Sequence, residues 1–418
     1  MKGVSAAECD IVKLVGDFLM EQMHYQSGNP PPSLFHMFTS CLGLGATAYG
    51  GPAMISQIKE MAVNKNGWTK EEEFMRGLAL CQLIPGATMI QMVTYIGYRV
   101  RGIWGALTAA VAFILPAFAA LLVLSAIYFR FHSLWFVGAL FKGLGAIVVA
   151  IILNACITFG RSILKDWKVV LIALLSFFAF LFQWNFVLIF VFAAVAGLLL
   201  RPKKTESKVA PSGETLRVGI KEYLVIILLA GLICLLFVLS YLIDPKITDL
   251  SISLSKIGAL AFGGGFPAIP LIQYEIVDRF HWLSTKEFLD GIALGQVTPG
   301  PILITATFVG YKVSSLLGAF MATLGVFFPS FFILVLLIPY HDRLRGVEKV
   351  RMMEQGILGS FIGMLGLVLY NFSRASFVDI PRILMALAAF YAIYKKISLP
   401  YILLAGGMLS ILIYGFLF

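Results

Sequence analysis

The sequence predicts an all-α polytopic membrane protein built from two homologous halves as inverted repeats, with helices broken by glycine and proline. Three observations carry this reading: the composition, the number of long apolar stretches, and an internal duplication. Of 418 residues, 60% are hydrophobic and 13% charged, with a mean hydropathy of +0.91. A soluble domain carries roughly 25% charged residues, so this chain has too few to cover itself with a wettable surface. An ordinary soluble enzyme, a disordered chain and a disulfide scaffold are thereby excluded. The net charge of +10 fits Lys and Arg gathered in cytoplasmic loops. No basic, aromatic-interleaved patch outside the membrane argues for nucleic acid. The five cysteines form no CxxC pair, so neither a zinc site nor a disulfide framework is indicated.

Residues 5–24 have no signal-peptide pattern. Ile11, Val12, Leu14, Val15, Phe18 and Leu19 recur at helical spacing, which makes 1–33 an amphipathic segment on the membrane surface. Apolar stretches long enough, or nearly so, to span a bilayer follow at 34–58, 78–98, 104–129, 134–159, 168–183 and 185–200. A polar linker with six basic residues occupies 201–221, and a connecting transmembrane helix 222–249. Further stretches fall at 250–274, 288–311, 313–339, 352–372, 380–394 and 398–417, some short or Gly/Pro-interrupted and so candidates for re-entry.

The halves, 34–200 and 250–418, repeat each other. Tyr49-Gly50-Gly51-Pro52-Ala53, Glu60, Trp68, Phe74, Gly77, Gln82, Pro85-Gly86, Gly97-Tyr98-Arg99 and Pro116 recur in order. Their counterparts are Gly263-Gly264-Gly265-Phe266-Pro267-Ala268, Glu275, Trp282, Phe288, Gly291, Gln296, Pro299-Gly300, Gly310-Tyr311-Lys312 and Pro329, at an offset of 213 to 215. Six segments return the chain to its starting side and the connecting helix carries it across, so the second half is inverted. With the linker inside, Lys and Arg divide 21 inside to 9 outside, counting residues 59–76 as outside.

Three constellations can carry chemistry. The clusters Gly50, Gly51, Pro52 and Gly263, Gly264, Gly265 break helices within apolar stretches. Either the freed N–H groups face an anion, or small residues let helices pack closely. Gln82 with Pro85-Gly86 and Thr88, and Gln296 with Thr298-Pro299-Gly300, put unwound turns and neutral donors at membrane depth, on a substrate path or as interhelical glue. Arg99 and Lys312 end their segments and either snorkel or draw an anion to each mouth. Lys142 and Lys256 lie deeper, and intramembrane charge marks function by default. No carboxylate is expected deep in an apolar stretch. No Walker A, HExxH, GxSxG or spaced His/Cys cluster is present, so no metal, cofactor or catalytic residue is expected.

The motifs Ala48-Tyr49-Gly50-Gly51-Pro52, Trp68 to Phe74, Cys81 to Gly86, Phe262 to Gly265, Trp282-Leu283-Ser284, Phe288 to Gly291 and Gln296 to Pro301 resemble the chromate ion transporter family in its long, two-domain form. Ala87, Met54 and Ile55 depart from the family pattern in the first half. The resemblance implies secondary export of a tetrahedral oxyanion, chromate with sulfate as a relative, across the plasma membrane. Its partners would be that anion and the lipid bilayer, and a homodimer is compatible with it. An anion channel on the same scaffold is the alternative. An intramembrane enzyme or a structural subunit has no residues to recommend it.

Overall fold

The computed structural model describes residues 31–49, 51–131, 133–199, 220–262, 265–338 and 348–417. Residues 1–30 of the amphipathic segment and nearly all of the 201–221 linker lie outside them, as do Gly50, Gly263 and Gly264. The first half contains α1 (Leu34–Thr47), α2 (Gly51–Lys59), which runs into a π-helical turn (Glu60–Lys65), α3 (Glu71–Leu83), α4 (Thr88–Phe131), α5 (Trp135–Ile163), α6 (Trp167–Leu181) and α7 (Phe186–Gly197). Next, α8 (Ile220–Ile243) connects to α9 (Pro245–Leu260), α10 (Ala268–Gln273) with its own π-helical turn (Tyr274–Arg279), and α11 (Thr285–Val297). The chain ends in α12 (Thr305–Leu337), α13 (Glu348–Ser376), α14 (Ile380–Tyr394) and α15 (Leu399–Leu412).

Local chemistry sets the boundaries. Ser33, Asp166, Asn185, Asp244 and Asp379 cap helix starts by accepting backbone N–H bonds. Ser284 and Glu287 form a capping box at the start of α11. Three glutamates, Glu71, Glu72 and Glu73, occupy the first turn of α3, where the helix dipole favours them. Because Asp244 caps α9, the connecting helix stops at Ile243 and residues 245–249 already belong to the next helix.

The two longest helices are not straight. Gly102 in α4 takes φ 58° and Ser315 in α12 takes φ 46°, each next to a non-helical neighbour. A methyl added at Gly97 would lie 2.4 Å from the Gly105 carbonyl, although these residues stand about 12 Å apart along a straight helix. The Thr307 and Thr323 hydroxyls are hydrogen bonded at 2.7 Å, where a straight helix would separate them by about 24 Å. The chain therefore reverses at 101–102 and at 314–315. Each helix consists of a short first arm (88–100, 305–313) and a long second arm (103–131, 316–337).

Further reversals precede these. Gly77 packs on the Tyr95 ring and Gly291 on the Phe308 ring, folding α3 and α11 back against the first arms of α4 and α12 about Gly86 and Gly300. Ser253 donates to Glu275 at 3.0 Å, which folds α9 against the segment after α10. In the first half the His36 and Trp68 rings meet edge to face at 6.0 Å. Each repeat thus opens with two helical hairpins. With only 14 residues, α1 reaches about 21 Å, short of the roughly 30 Å hydrocarbon core. The stretches 34–58, 78–98, 250–274 and 288–311 are re-entrant hairpins rather than spans.

Replacing two crossings by two returns in each half leaves the parity unchanged, so α8 still inverts the second repeat. It does change which loops lie where. Lys59, Lys65, Lys70 and Arg76 move inside while Arg279 and Lys286 move outside, and the Lys/Arg division sharpens from 21:9 to 23:7. The second arms of α4 and α12 pack against each other at the centre, within one core that runs through both halves. Leu224, Ile227, Leu228, Leu232 and Leu235 of α8 face outward, as a lipid-contacting helix requires.

Candidate oxyanion site at the crossing of the hairpin tips

The four hairpin tips meet in a reciprocal pattern. The Gly86 N–H donates to the Ala261 carbonyl at 2.8 Å, and the Gly300 N–H donates to the Ala48 carbonyl at 2.8 Å. The Pro-Gly tip of each half is thus bonded to the broken helix of the other. Gly86 (φ 134°) and Gly300 (φ 104°) adopt backbone that only glycine takes without strain. At the same place Gly265 sits against Ile302 and Leu303, so the second break also touches the tip of its own half.

A tip is where one helix ends and another begins. The carbonyls closing α1 and α9, Ala48 and Ala261, are occupied by the cross-half glycine bonds. Four helices begin a few residues after these tips and breaks: α2 at Gly51, α4 at Thr88, α10 at Ala268 and α12 at Thr305. Helix N-termini carry unpaired N–H groups and partial positive charge. Helix N-termini in general are sites where an anion can be held without a permanent counter-charge.

Around Gly86 the tip is polar. Ser330 Oγ accepts from the Ala87 N–H at 2.9 Å, and Gln91 Nε2 donates to the Pro85 carbonyl at 2.7 Å. Gln91 Oε1 is buried and has no hydrogen-bond partner among the described residues. At the matching tip, Gly300 lies against Ala117, the counterpart of Ser330. The two tips therefore differ in chemistry although they share a backbone. Neither Ser330 nor Gln91 was singled out by the sequence. The signal for Ser330 was the residue after the paired prolines, Pro116-Ala117 against Pro329-Ser330.

The sequence-selected residues are distributed as follows. Pro85, Gly86, Pro299 and Gly300 form the tips, Thr88 is buried at the start of α4, and Gly51 and Pro52 open α2. Gln296 and Thr298 are buried, and Thr298 Oγ1 donates to the Gly295 carbonyl at 3.0 Å. Gln82 is exposed. Lys256 lies on the exposed face of α9, about one and a half turns before Ala261. Packing of Gly45 on α4 and Gly258 on α12 aligns Lys256 with Gly43. Lys142 is exposed and sits over the Tyr414 ring at 5.1 Å, near Asp379 and Arg382 at the foot of α14, apart from the tips.

Arg99 and Lys312 are ion paired. Arg99 bonds Glu73, and Lys312 bonds Glu287 at 2.7 Å, each tying the open end of a Pro-Gly hairpin. The first pair is the more enclosed, with side-chain exposures of 11% and 18% against 37% and 27%. Arg99→Gln should therefore cost about 2 kcal/mol, whereas Lys312→Gln should cost under about 1 kcal/mol. Equal thermal shifts of the two variants in detergent would contradict this ranking.

The signature of the chromate transporter family matches residues 35–198 and again 248–411. The chain belongs to the chromate transporter family. Among its relatives, an uncharacterized transporter of Methanocaldococcus jannaschii is 36% identical over 383 residues, 91% of this chain and 95% of the relative. A chromate transport protein of Cupriavidus metallidurans is 29% identical over 401 residues, covering 93% and 95%, and one of Pseudomonas aeruginosa is 28% identical over 399, covering 92% and 94%. No solved structure gives a significant match. The matched blocks contain both pairs of hairpins. This member of the chromate transporter family is a multi-pass membrane protein of a transporter family, not of an enzyme family.

Proposed function

We propose that this chromate transporter family member is a secondary transporter that exports a tetrahedral oxyanion, chromate first and sulfate as a relative, across the plasma membrane. The observation that carries the reading is the reciprocal pair of bonds, Gly86 to Ala261 and Gly300 to Ala48, which joins each Pro-Gly tip to the broken helix of the other half, a few residues before helix starts in both. A tetrahedral dianion offers lone pairs in every direction, and backbone N–H groups match it without a fixed cation. The chromate transport proteins among the relatives support the choice of anion. Outward movement of two negative charges at about 100 mV releases roughly 4–5 kcal/mol, so the membrane voltage favours export whatever else moves with the anion.

In this proposal 34–200 and 250–418 are the two transporter repeats, and the 201–221 linker faces the cytoplasm. Lys256 draws the anion along the exposed face of α9 towards the break, and the outward-facing α8 is the surface a homodimer would use. Purified protein in proteoliposomes under an imposed voltage should take up chromate, more slowly sulfate, and little molybdate, at a rate that saturates and follows the voltage. Absence of uptake for all three would defeat the reading. Lys256→Met should lower apparent affinity several-fold at unchanged protein level. Wild-type affinity in that variant would remove Lys256 from the path and leave the tips to bind alone.

A further inference from the structure

Asp290 is a buried carboxylate that the linear pattern hides, because it stands near the start of its apolar stretch. Only 3% of it is exposed. The Tyr128 hydroxyl donates to its Oδ2 at 2.8 Å. Tyr128 belongs to the second arm of α4 and Asp290 to α11, so this bond joins the two inverted halves. Aromatic rings enclose the Tyr128 end: Phe129, Phe141 and Phe308 lie 5.0, 5.0 and 5.2 Å from its ring.

The charged groups acting on Asp290 are Lys286 and Glu287 of its own helix. Glu287 is held by Lys312 of α12, which itself lies over the Phe129 ring at 5.2 Å. From α4 the titratable group is Tyr128, and from α12 Tyr311 stacks on Phe129 at 6.0 Å. α5 contributes Phe141, and α13 contributes Phe372 against Phe288. No ion pair to Asp290 is present among the described residues. A carboxylate kept from water without an ion-pair partner is costly to leave charged.

The repeat makes the site single. Gly77 and Gly291 occupy the same place in their hairpins, each packed on the ring of the returning arm. The residue before them is Arg76 in one half and Asp290 in the other. Only the second half carries a carboxylate there.

We propose that Asp290 is a proton-carrying site, with Tyr128 as its positioning residue, that couples one proton to each transport cycle. Asp290 takes a proton from water when the halves separate at this bond, and returns it to water on the other side. One O–H bond forms and one breaks, and the Tyr128 hydroxyl keeps its own hydrogen. Rocking of one half against the other must break the Tyr128–Asp290 bond, which ties the protonation state to the conformational change.

The inference rests on the oxyanion reading for its transport arm, so the test has two arms. In the first, proteoliposomes carrying a trapped pH dye take up chromate with the voltage clamped. Wild type should change the internal pH in proportion to the anion moved. Asp290→Asn should lose that part of the change while still exchanging chromate for chromate. Tyr128→Phe should keep proton movement but shift its pH dependence. In the second arm, infrared titration of purified protein in detergent, without any anion, should show a protonated-carboxyl band that Asp290→Asn removes. Chromate uptake without a pH change in wild type, an unchanged pH response in Asp290→Asn, or no Asp290-dependent band would each overturn the proposal. Absence of chromate uptake together with an intact band would instead defeat the oxyanion reading alone.

Discussion

Gly86→Ala should lower chromate uptake per folded molecule at least tenfold, about 1.4 kcal/mol in binding or barrier terms. The added methyl would lie 2.2 Å from Gln91 Nε2 and 2.9 Å from Ser330 Oγ, the two side chains that clip the first tip. The backbone at φ 134° also disfavours any side chain, at a cost of about 1–3 kcal/mol. Relief of either conflict displaces the Gly86 N–H from the Ala261 carbonyl, and with it the link between the halves. Gly138→Ala serves as the control. A methyl there meets nothing within 4 Å, and alanine in a helix should be neutral or stabilise by about 0.5–1 kcal/mol. Uptake assays on both variants, normalised to monodisperse protein, separate the tip from a general intolerance of substitution. Wild-type uptake by Gly86→Ala would mean that the tip does not shape the transport path.

Gly258→Val should largely abolish folded protein. A Cβ at this position would stand 2.0 Å from the Val326 carbonyl oxygen, and its counterpart at Gly45 would stand 2.3 Å from the Phe113 carbonyl. These are backbone atoms of the long arms of α12 and α4, so no side chain can swing aside. Overpacking of a well-filled interface costs about 1–3 kcal/mol when neighbours can shift, and more is expected here because two helices must separate. Gly45→Val should behave alike, since the close approach is repeated. Size-exclusion profiles and thermal unfolding in detergent provide the readout. A monodisperse Gly258→Val protein with an unchanged transition would contradict the packing described for α9 and α12.

The helical class, the duplication and the two kinds of break were legible because they leave local marks. Pro85-Gly86 and Pro299-Gly300 punctuate apolar runs wherever those runs go in space. The direction of the chain after each break was not legible. Hydropathy measures apolar length, and a hairpin of two short arms has the same length as one span. For this reason 34–58 reads as a crossing although the chain beyond α2 returns to the start of α1, where Trp68 meets His36. The partners of charged residues were hidden for a related reason. Arg99 meets Glu73 and Lys312 meets Glu287 only because α3 and α11 return beside them. Asp290 carries no mark in the sequence because its partner, Tyr128, stands 162 residues away in the other half. Gln82 and Gln296 look equivalent in sequence, yet one is exposed and the other buried. Packing around the two tips has diverged while the backbone pattern has been kept.

Two inverted repeats send re-entrant hairpins from opposite faces to meet in the membrane. Cysteine labelling from one side of sealed membranes tests it directly. After the native cysteines are replaced, single cysteines are introduced at Lys65, at the end of the π-helical turn after α2, at Arg279, at the end of the π-helical turn after α10, and at Arg130, at the end of α4. An impermeant maleimide should reach Lys65→Cys only from the face that bears the 201–221 linker. Arg279→Cys and Arg130→Cys should react only from the opposite face. Labelling of positions 65 and 279 from the same face would contradict the inverted arrangement, and labelling of 65 together with 130 would contradict re-entry of the first hairpins.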